Sequence, residues 1–208
     1  MTITARQPIE TTVVAVSTAG GLRAPDPASV LGLFPGKTDG MRLFDDVTMG
    51  VRVFTFPQEQ LRLTFEKMRV RVEDTGSRHI EDLHIGELLM KIVTQFYPPP
   101  TFDRYGFNYD VMYRFDQVIP SRMILGSFLK DEAAEYVSAF GWQCTVSKPK
   151  TNRHENYFFK VVSPLELQVL ANIEFHQRPK TGPDVQKELI QWSKESQEII
   201  DKLSFVLP

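Results

Sequence analysis

The sequence contains a single cysteine, Cys144, among 208 residues, so no disulfide can form within the chain. It also has almost no excess of either charge, because 24 lysines and arginines stand against 26 aspartates and glutamates. A near-neutral chain lacks the positive field that non-specific nucleic-acid binding requires. These two scarcities predict a reducing compartment, with Cys144 as a small buried side chain, and they disfavour nucleic acid as a partner.

Long apolar runs are missing as well. No stretch reaches the roughly 18 uninterrupted apolar residues of a membrane helix, and the first residues, MTITARQPIETT, lack the apolar centre of a secretory signal. The proportions of hydrophobic residues, 42%, and of charged residues, 24%, are those of a globular protein. We therefore expect a soluble, cytoplasmic protein that has no membrane partner.

Patterns for cofactor, metal or catalytic sites are incomplete. The segment Pro35-Gly36-Lys37-Thr38 resembles a phosphate-binding loop, but Leu31 stands where the first glycine of that loop belongs. His79 and His84 are five residues apart, whereas two metal ligands on a helix are three or four apart. Nothing in the local sequence activates Cys144 as a nucleophile. We expect no cofactor, metal or catalytic residue, and we lean against an enzyme without deciding the question.

Patterns of strand and helix follow the same order in both halves of the chain. In the first half we expect a strand at 11–17, a short helix from Asp26-Pro27 to Phe34, strands at 51–56, 60–65 and 68–73, and an amphipathic helix begun by Ser77. In the second half we expect a strand at 104–115, one or two helices that stop at Gly141, strands at 142–148, 156–162 and 165–176, and a helix from Thr181 to about Leu203.

Each half therefore has the order strand, helix, three strands, helix. We predict an α+β fold of two β-α-β-β-β-α pseudo-repeats, 1–97 and 104–208, joined by a proline-rich connector at 98–103 within one compact domain. The repeats would form a mostly antiparallel sheet of about eight strands with the helices on one face. In outline this resembles the TATA-binding-protein-like and helix-grip folds, and such likeness implies no activity.

The segment RYGFNYDVMYRF, residues 104–115, places ring or apolar side chains at every odd position. Its rings could stack bases, as in an RNA-recognition motif, or they could line a core. The alternation of the neighbouring strands collects apolar residues on the same face, which is too extensive to face water. Asp110 also stands where that RNA-binding signature has valine. We therefore expect the stripe to face the core.

The opposite sheet face is expected to be polar and rich in arginine. Its members are Arg52, Arg62, Thr64, Arg69, Arg71, Glu73, Asn108, Asp110, Arg114, Gln143, Thr145, Glu166, Gln168, Asn172, Glu174 and His176. Such a face is either a solvated surface held by ion pairs or a surface for a ligand or partner. If it binds something, the candidate residues are Asn108, Asp110, Arg114, Arg69, Arg71, Arg62, Glu174 and His176.

One segment resembles a known family. Asp103-Arg104-Tyr105-Gly106-Phe107-Asn108-Tyr109 is similar to the E-R-x-G-L-R-Y strand of a sporadically distributed prokaryotic family that has no assigned activity. The later segment LELQVLANIEFH and the terminal helix are similar to the carboxyl half of that family. The chain departs from the family at Asn108, where arginine is usual. The resemblance implies a fold and a prokaryotic or phage origin, and no function.

Two functional hypotheses follow from the asymmetry between the two sheet faces. The first is a non-enzymatic protein-binding or self-assembly module, which uses the polar face to engage a protein partner or a second copy of the chain. The second is a carrier or enzyme that binds a small anionic ligand in a pocket formed by the curved sheet and the helices. In that case Asp110, Glu174 or His176 would do the acid-base work.

Overall fold

The structure, a computed structural model, is an antiparallel sheet that has nine strands among the residues it describes, with helices packed on one face of the sheet. The residues it describes are 2–37, 39–119, 140–148, 153–177 and 181–204. The strands are β1 (Ile3–Val16), β2 (Arg42–Asp46), β3 (Val51–Phe56), β4 (Leu61–Phe65), β5 (Arg69–Asp74), β6 (Arg104–Phe115), β7 (Phe140–Lys148), β8 (Arg153–Ser163) and β9 (Glu166–Phe175). The helices among the described residues are α1 (Pro27–Leu31), α2 (Ile85–Phe96) and α3 (Gly182–Ser204).

The strands lie in the order β2-β3-β4-β5-β1-β6-β9-β8-β7. Strands β1 and β6 therefore pair in the middle of the sheet, and every neighbouring pair is antiparallel. This confirms the predicted α+β class with a mostly antiparallel sheet. None of the described helices is both long enough and apolar enough to span a membrane.

The sheet has nine described strands where about eight were expected, and the strand that the sequence did not predict is β2. Four of its five residues are exposed and the fifth is half-buried, so its sequence carries no apolar alternation. Strand β1 is also longer than expected, since it begins at Ile3 and not at residue 11. Its early, polar part becomes a strand by pairing with the far end of β6, where Ala5 lies opposite Arg114. Tertiary pairing thus supplies what local propensity does not.

Helix starts were predicted with mixed success. Asp26 caps α1 by accepting a hydrogen bond from the Ser29 amide, and Thr181 accepts one from the Asp184 amide at the start of α3, as expected. Ser77 does not cap a helix, because its φ of 55° is left-handed. The chain instead makes a 3-10 turn at Ile80–Asp82 before α2 begins at Ile85.

The predicted second-half helices before Gly141 fall mostly on residues 120–139, which lie outside the described residues. Gly141 itself does not end a helix, because β7 already begins at Phe140. A Cβ at Gly141 would come within 2.6 Å of the Phe159 carbonyl oxygen, so the position suits a residue without a side chain. Glycine therefore occupies position 141 because β8 lies so close, and not because a helix ends there.

The odd-numbered stripe of β6 lies in the core, as the alternation predicts. Tyr105, Phe107 and Tyr113 are completely buried. The ring of Phe107 stacks on Trp192 of α3, with 5.7 Å between centroids, and Tyr105 stacks on Phe175 of β9 at 4.6 Å. Burying side chains of this size supplies much of the free energy that favours folding.

Some side chains that the alternation places on this apolar face are less buried than expected, among them Met68 and Cys144. Met68 is 50% exposed, because it lies in the turn of the β4–β5 hairpin and not on a strand. Cys144 is half-buried on β7, and its burial raises the pKa of the thiol. A raised pKa keeps the thiol protonated, which agrees with an unreactive cysteine.

Helices α2 and α3 are joined by a buried glutamine. Gln186 of α3 donates to the Leu83 carbonyl at 2.7 Å and accepts from the Gly86 amide at 3.0 Å. A Cβ at Gly86 would lie 3.0 Å from the backbone of Gln186, so only glycine lets the two helices approach this closely. The helix layer is thereby held over one face of the sheet, and the opposite face, called the open face below, carries no helix in the part of the chain that the structure describes.

The adjacent residues Phe158 and Phe159 of β8 provide a matched test of the two faces. Phe159 is 2% exposed on the helix side, whereas Phe158 is 40% exposed on the open face. Phe159→Ala should lower the free energy of unfolding by about 3–5 kcal/mol because it leaves a cavity. Phe158→Ala should cost about 1 kcal/mol or less. Urea unfolding of both variants measures the difference, and equal losses would contradict the assignment of the faces.

Candidate functional site

The register of the strands brings three asparagines into one row across the open face. Asn108 lies opposite Asn172, which lies opposite Asn156. The Asn172 amide donates to Asn108 Oδ1 at 2.5 Å, and Thr145 of β7 donates to Asn156 at 2.8 Å. The candidate Asn108 is therefore one end of a row of side-chain amides that continues through Asn172 to Asn156. Thr145 lies next to Asn156 at the other end.

The arginines of β4 and β5 are brought together, but glutamates already pair with them. Arg69 and Arg71 contact Glu66 at 2.5 and 2.6 Å. Arg62 and Arg71 lie 3.6 and 3.7 Å from Glu73. The three candidate arginines therefore form an ion-paired cluster, which is not an open anion site.

Glu73 is buried within that cluster on the open face, with only 4% of its surface exposed. Burial raises the pKa of its carboxyl above the ordinary value, while Arg71 and Arg62 act to lower it. Thr64 also donates a hydrogen bond to it at 3.4 Å. Removing either arginine would leave a buried carboxylate with fewer partners, so this cluster has a structural role whatever else it does.

Glu174 and His176 are also brought together, next to Arg104 and His154, which were not among the candidate binding residues. His176 Nε2 lies 3.2 Å from Glu174, and Arg104 lies 3.1 Å from the same carboxylate. The His154 ring is 4.9 Å from the His176 ring, centroid to centroid. No group of three side chains suited to a metal ion occurs among the described residues.

Asp110 and Arg114 lie along β6 on the other side of the asparagine row. Gln168 donates to both oxygens of Asp110, at 3.0 and 2.8 Å. Burial raises the pKa of the Asp110 carboxyl, the Gln168 bonds lower it, and the nearby Glu10 adds to the increase. Arg114 is exposed opposite Glu166.

Next to Asp110 the open face is apolar, although a polar face was expected here. Leu170 lies directly opposite Asp110, and Phe158 lies directly opposite Leu170. Leu170 is 37% exposed and Phe158 is 40% exposed, and the half-buried Met112 is one position further along β6. We call Met112, Phe158 and Leu170 the apolar spot. The alternation could have revealed it, because Phe158 stands between the inward-facing Tyr157 and Phe159.

Arg52 was expected on the open face and does not lie there. It is opposite Phe65, so its side chain is on the helix side of the sheet. There it donates to the Pro25 carbonyl at 2.6 Å and pairs with Asp45 at 2.5 Å. The error has a physical cause: the register of β3 is set by the buried Phe54 and Phe56, which share the face of Arg52.

A polar network lies beneath α3, on the helix side, and was missed from the sequence. Arg153 contacts Glu155 at 2.6 Å and Glu195 of α3 at 2.5 Å. Tyr157 donates to Glu155 at 2.5 Å, and burial raises the pKa of its hydroxyl. Charged residues on a strand do not show in the sequence that they face the core. Only the contact of Arg153 with Glu195 of α3 shows that this charged pair is buried.

A cavity of about 290 Å3 adjoins this network. It is lined by Arg153, Phe175, Gln177, Glu188, Gln191 and Trp192. Arg153 Nε and Trp192 Nε1 are buried, and neither makes a hydrogen bond with the described part of the chain. Asp110, Glu174 and His176 do not line this cavity.

Comparison with known proteins provides no further assignment, since neither the family models nor the curated proteins contain a match to this chain. The candidate site is therefore defined by its geometry. It consists of the asparagine row, the apolar spot and the two ion-paired clusters on either side.

The raised pKa of Asp110 predicts a pH dependence. A carboxyl whose pKa is raised by folding stabilises the fold at acid pH, below its ordinary value of about 3.9, and this contribution is lost as the pH rises through the raised pKa. Asp110→Asn removes the titration. Its free energy of unfolding, relative to the unchanged protein, should therefore increase as the pH is raised from about 3 to about 7.

Asp103→Asn is the matched control, because folding shifts the pKa of Asp103 in the opposite direction to that of Asp110. Thr18 donates to Asp103 from its hydroxyl at 2.6 Å and its amide at 2.8 Å, and these bonds lower the pKa of the carboxyl. The stability that they supply is present above the ordinary pKa and is lost as the pH falls. Urea unfolding across the pH range should thus show opposite trends for the two variants, and parallel trends would contradict the assigned pKa shifts.

Proposed function

We propose that this chain is a non-enzymatic protein-binding module whose open sheet face docks a protein partner. One observation carries the proposal. Two apolar side chains, Phe158 and Leu170, lie directly opposite each other and remain exposed on the open face, beside polar residues such as Asp110 and Gln168. Single exposed apolar residues are ordinary, but adjacent ones within a polar surround are typical of protein interfaces.

The polar surround of the apolar spot is fixed in advance. Asp110 is held by two hydrogen bonds from Gln168. In the asparagine row, Asn108 accepts a hydrogen bond from Asn172, and Asn156 accepts one from Thr145. A partner that docks here would order few additional side chains, which lowers the entropic cost of binding. Arg114 is exposed at the edge of this area and can serve as a charged contact at the rim.

The charge of the open face supports a protein partner over an anion or nucleic acid. Glu66 and Glu73 already neutralise much of the charge of Arg62, Arg69 and Arg71. A phosphate-rich ligand would have to displace these carboxylates or approach them, at an electrostatic cost. A protein surface can match such a mixed pattern of charges residue by residue.

We also propose that the two halves are pseudo-repeats in an arrangement like that of the TATA-binding-protein-like or helix-grip folds. The strand order supports this, because the last strand of each half, β5 or β9, lies beside the central β1–β6 pair and the earlier strands lie progressively outward. Membership of the prokaryotic family that β6 resembles, and a cytoplasmic location, stay proposals of the same kind.

Photo-crosslinking from the open face tests the docking surface. A photoreactive amino acid in place of Leu170 should form a discrete adduct in cells that make the protein naturally. The same amino acid in place of Lys194, which is exposed on α3, should form none. The combination Arg69→Ala, Arg71→Ala and Arg114→Ala should abolish the adduct from position 170, because it removes the charged rim.

Since Arg71 also supports the buried Glu73, Arg114→Ala alone serves as a variant that leaves the ion-paired cluster intact. It should weaken the adduct from position 170 while the thermal melt changes little. No adduct at position 170, or equal adducts from both positions, would overturn the proposal.

A second candidate function is ligand binding in the cavity beneath α3. Two buried N–H groups at this cavity, Arg153 Nε and Trp192 Nε1, have no hydrogen-bond partner among the described residues and favour a ligand that has oxygen acceptors. Glu155 and Glu195 already contact Arg153, and Glu188 lines the cavity. We therefore propose a neutral ligand for this cavity, and the anionic ligand that the sequence suggested, in a pocket formed by the curved sheet and the helices, stays a prediction.

Tryptophan fluorescence can report on the cavity directly. The chain has two tryptophans, so Trp142→Phe leaves Trp192 as the sole reporter. Nicotinamide and uracil, which are neutral and carry carbonyl acceptors, should change this emission and raise the melting temperature, whereas citrate and phosphate should not. Trp192→Phe, which removes the N–H group, should abolish the thermal shift, and the absence of any effect from the neutral probes would contradict this candidate.

A further inference from the structure

The outer edge of β2 is an exposed margin of the sheet that carries both apolar and charged side chains. Within the described ranges β2 pairs only with β3, so its other edge has no strand beside it. Leu43 is 43% exposed on the helix side and Phe44 is 59% exposed on the open side. In the turn that follows, Val47 is 84% and Met49 is 68% exposed. An edge strand with this composition is suited to pairing with another strand.

Natural edge strands usually carry features that prevent such pairing, and β2 has few of them. Lysine, proline and bulges are common protections. The sequence of β2, RLFDD, contains no lysine and no proline, and its register with β3 is continuous from Arg42 to Asp46. Its protections of this kind are its short length of five residues and its three charged side chains, Arg42, Asp45 and Asp46.

We propose that β2 pairs antiparallel with β2 of a second copy of this chain, about a two-fold axis at Phe44. In that register Phe44 lies opposite Phe44 of the second copy, and Arg42 lies opposite Asp46. The two-fold axis repeats the second contact, so the pairing contains two arginine–aspartate pairs on either side of a central aromatic pair. Opposite charges and aromatic pairs in directly opposed positions both stabilise antiparallel strands.

All of these contacts lie on one face of the joined sheets. Arg42, Phe44 and Asp46 lie opposite Thr55, Val53 and Val51 of β3, so the three side chains share the open side. Asp46 Oδ1 accepts a hydrogen bond from the Met49 amide at 2.9 Å, which holds this carboxylate at the edge. The pairing therefore uses a charge that the chain has already positioned.

The pattern specifies a second copy in particular. In the centred register both arginines meet both aspartates. A shift by two residues in one direction would place Arg42 opposite Phe44 and leave Asp46 without its arginine. A shift by one residue would join the open face of one copy to the helix face of the other. An unrelated strand would have to supply the same acid and base at matching ends, whereas a second copy supplies them by symmetry.

Edge pairing also extends the proposed function, although it does not rest on it. A two-fold axis perpendicular to the sheet leaves the open faces of both copies on the same side. If each open face docks a partner, the dimer would present two docking surfaces to the same target, and binding would gain from this bivalency.

Sedimentation velocity over a range of concentrations tests the dimer. The unchanged protein should sediment as a dimer, and Phe44→Lys should raise the dissociation constant about tenfold or more because it places two like charges opposite each other. Val118→Lys, at a similarly exposed apolar position outside β2, is the matched control and should remain dimeric. A monomeric unchanged protein, or an unaffected Phe44→Lys variant, would overturn the proposal.

Charge exchange tests the register itself. Arg42→Asp and Asp46→Arg should each weaken the dimer, because each places like charges opposite one another in both pairs. The double variant R42D/D46R should restore it. Failure of this rescue, with both single variants and the double variant folded by circular dichroism, would reject the centred register.

These measurements are independent of any docking partner. They use the purified chain alone, whereas photo-crosslinking at position 170 requires the partner. A dimer without an adduct would reject the docking face and keep the edge pairing, and an adduct without a dimer would do the reverse.

Discussion

The packing of the β6 stripe against α3 is the interaction on which the rest of the structure depends. Strand β6 pairs with β1 on one side and with β9 on the other, so it lies at the centre of the sheet. Its buried rings, with Phe107 stacked on Trp192, decide which sheet face the helices cover. The residues between the rings, such as Asn108 and Asp110, are thereby placed in the middle of the open face.

The open face satisfies its own charges and still retains an apolar area. Glutamates neutralise the arginines of β4 and β5 at short distance, and Glu73 is buried among them. The solvent-exposed pairs of such a cluster add little to the stability of the fold. Removing one partner of a buried charge, however, lowers the stability considerably. The clusters therefore hold the sheet surface in one arrangement, and Phe158 and Leu170 supply the area where dehydration by a partner is favourable.

The two faces of β8 show how charge is handled inside and outside the core. On the open side Phe158 is exposed, while on the helix side Arg153 and Glu155 are buried and paired. The buried pair is tolerated because Glu195 of α3 and Tyr157 complete its contacts. This coupling makes the position of α3 depend on β8, and the adjoining cavity lies between these two elements.

The alternation of side chains along the strands determined the α+β class, the inward direction of the β6 rings and the polar nature of the open face, because burial of apolar area dominates folding. Pairing between distant strands could not be predicted in the same way. The strand β2, the burial of Arg153 and Glu155, and the displacement of Arg52 to the helix side carry no local apolar signal, so only their tertiary partners decide them. The neutralisation of the candidate arginines is of the same kind, since it depends on the distances that the folded sheet imposes between their guanidinium groups and the glutamates.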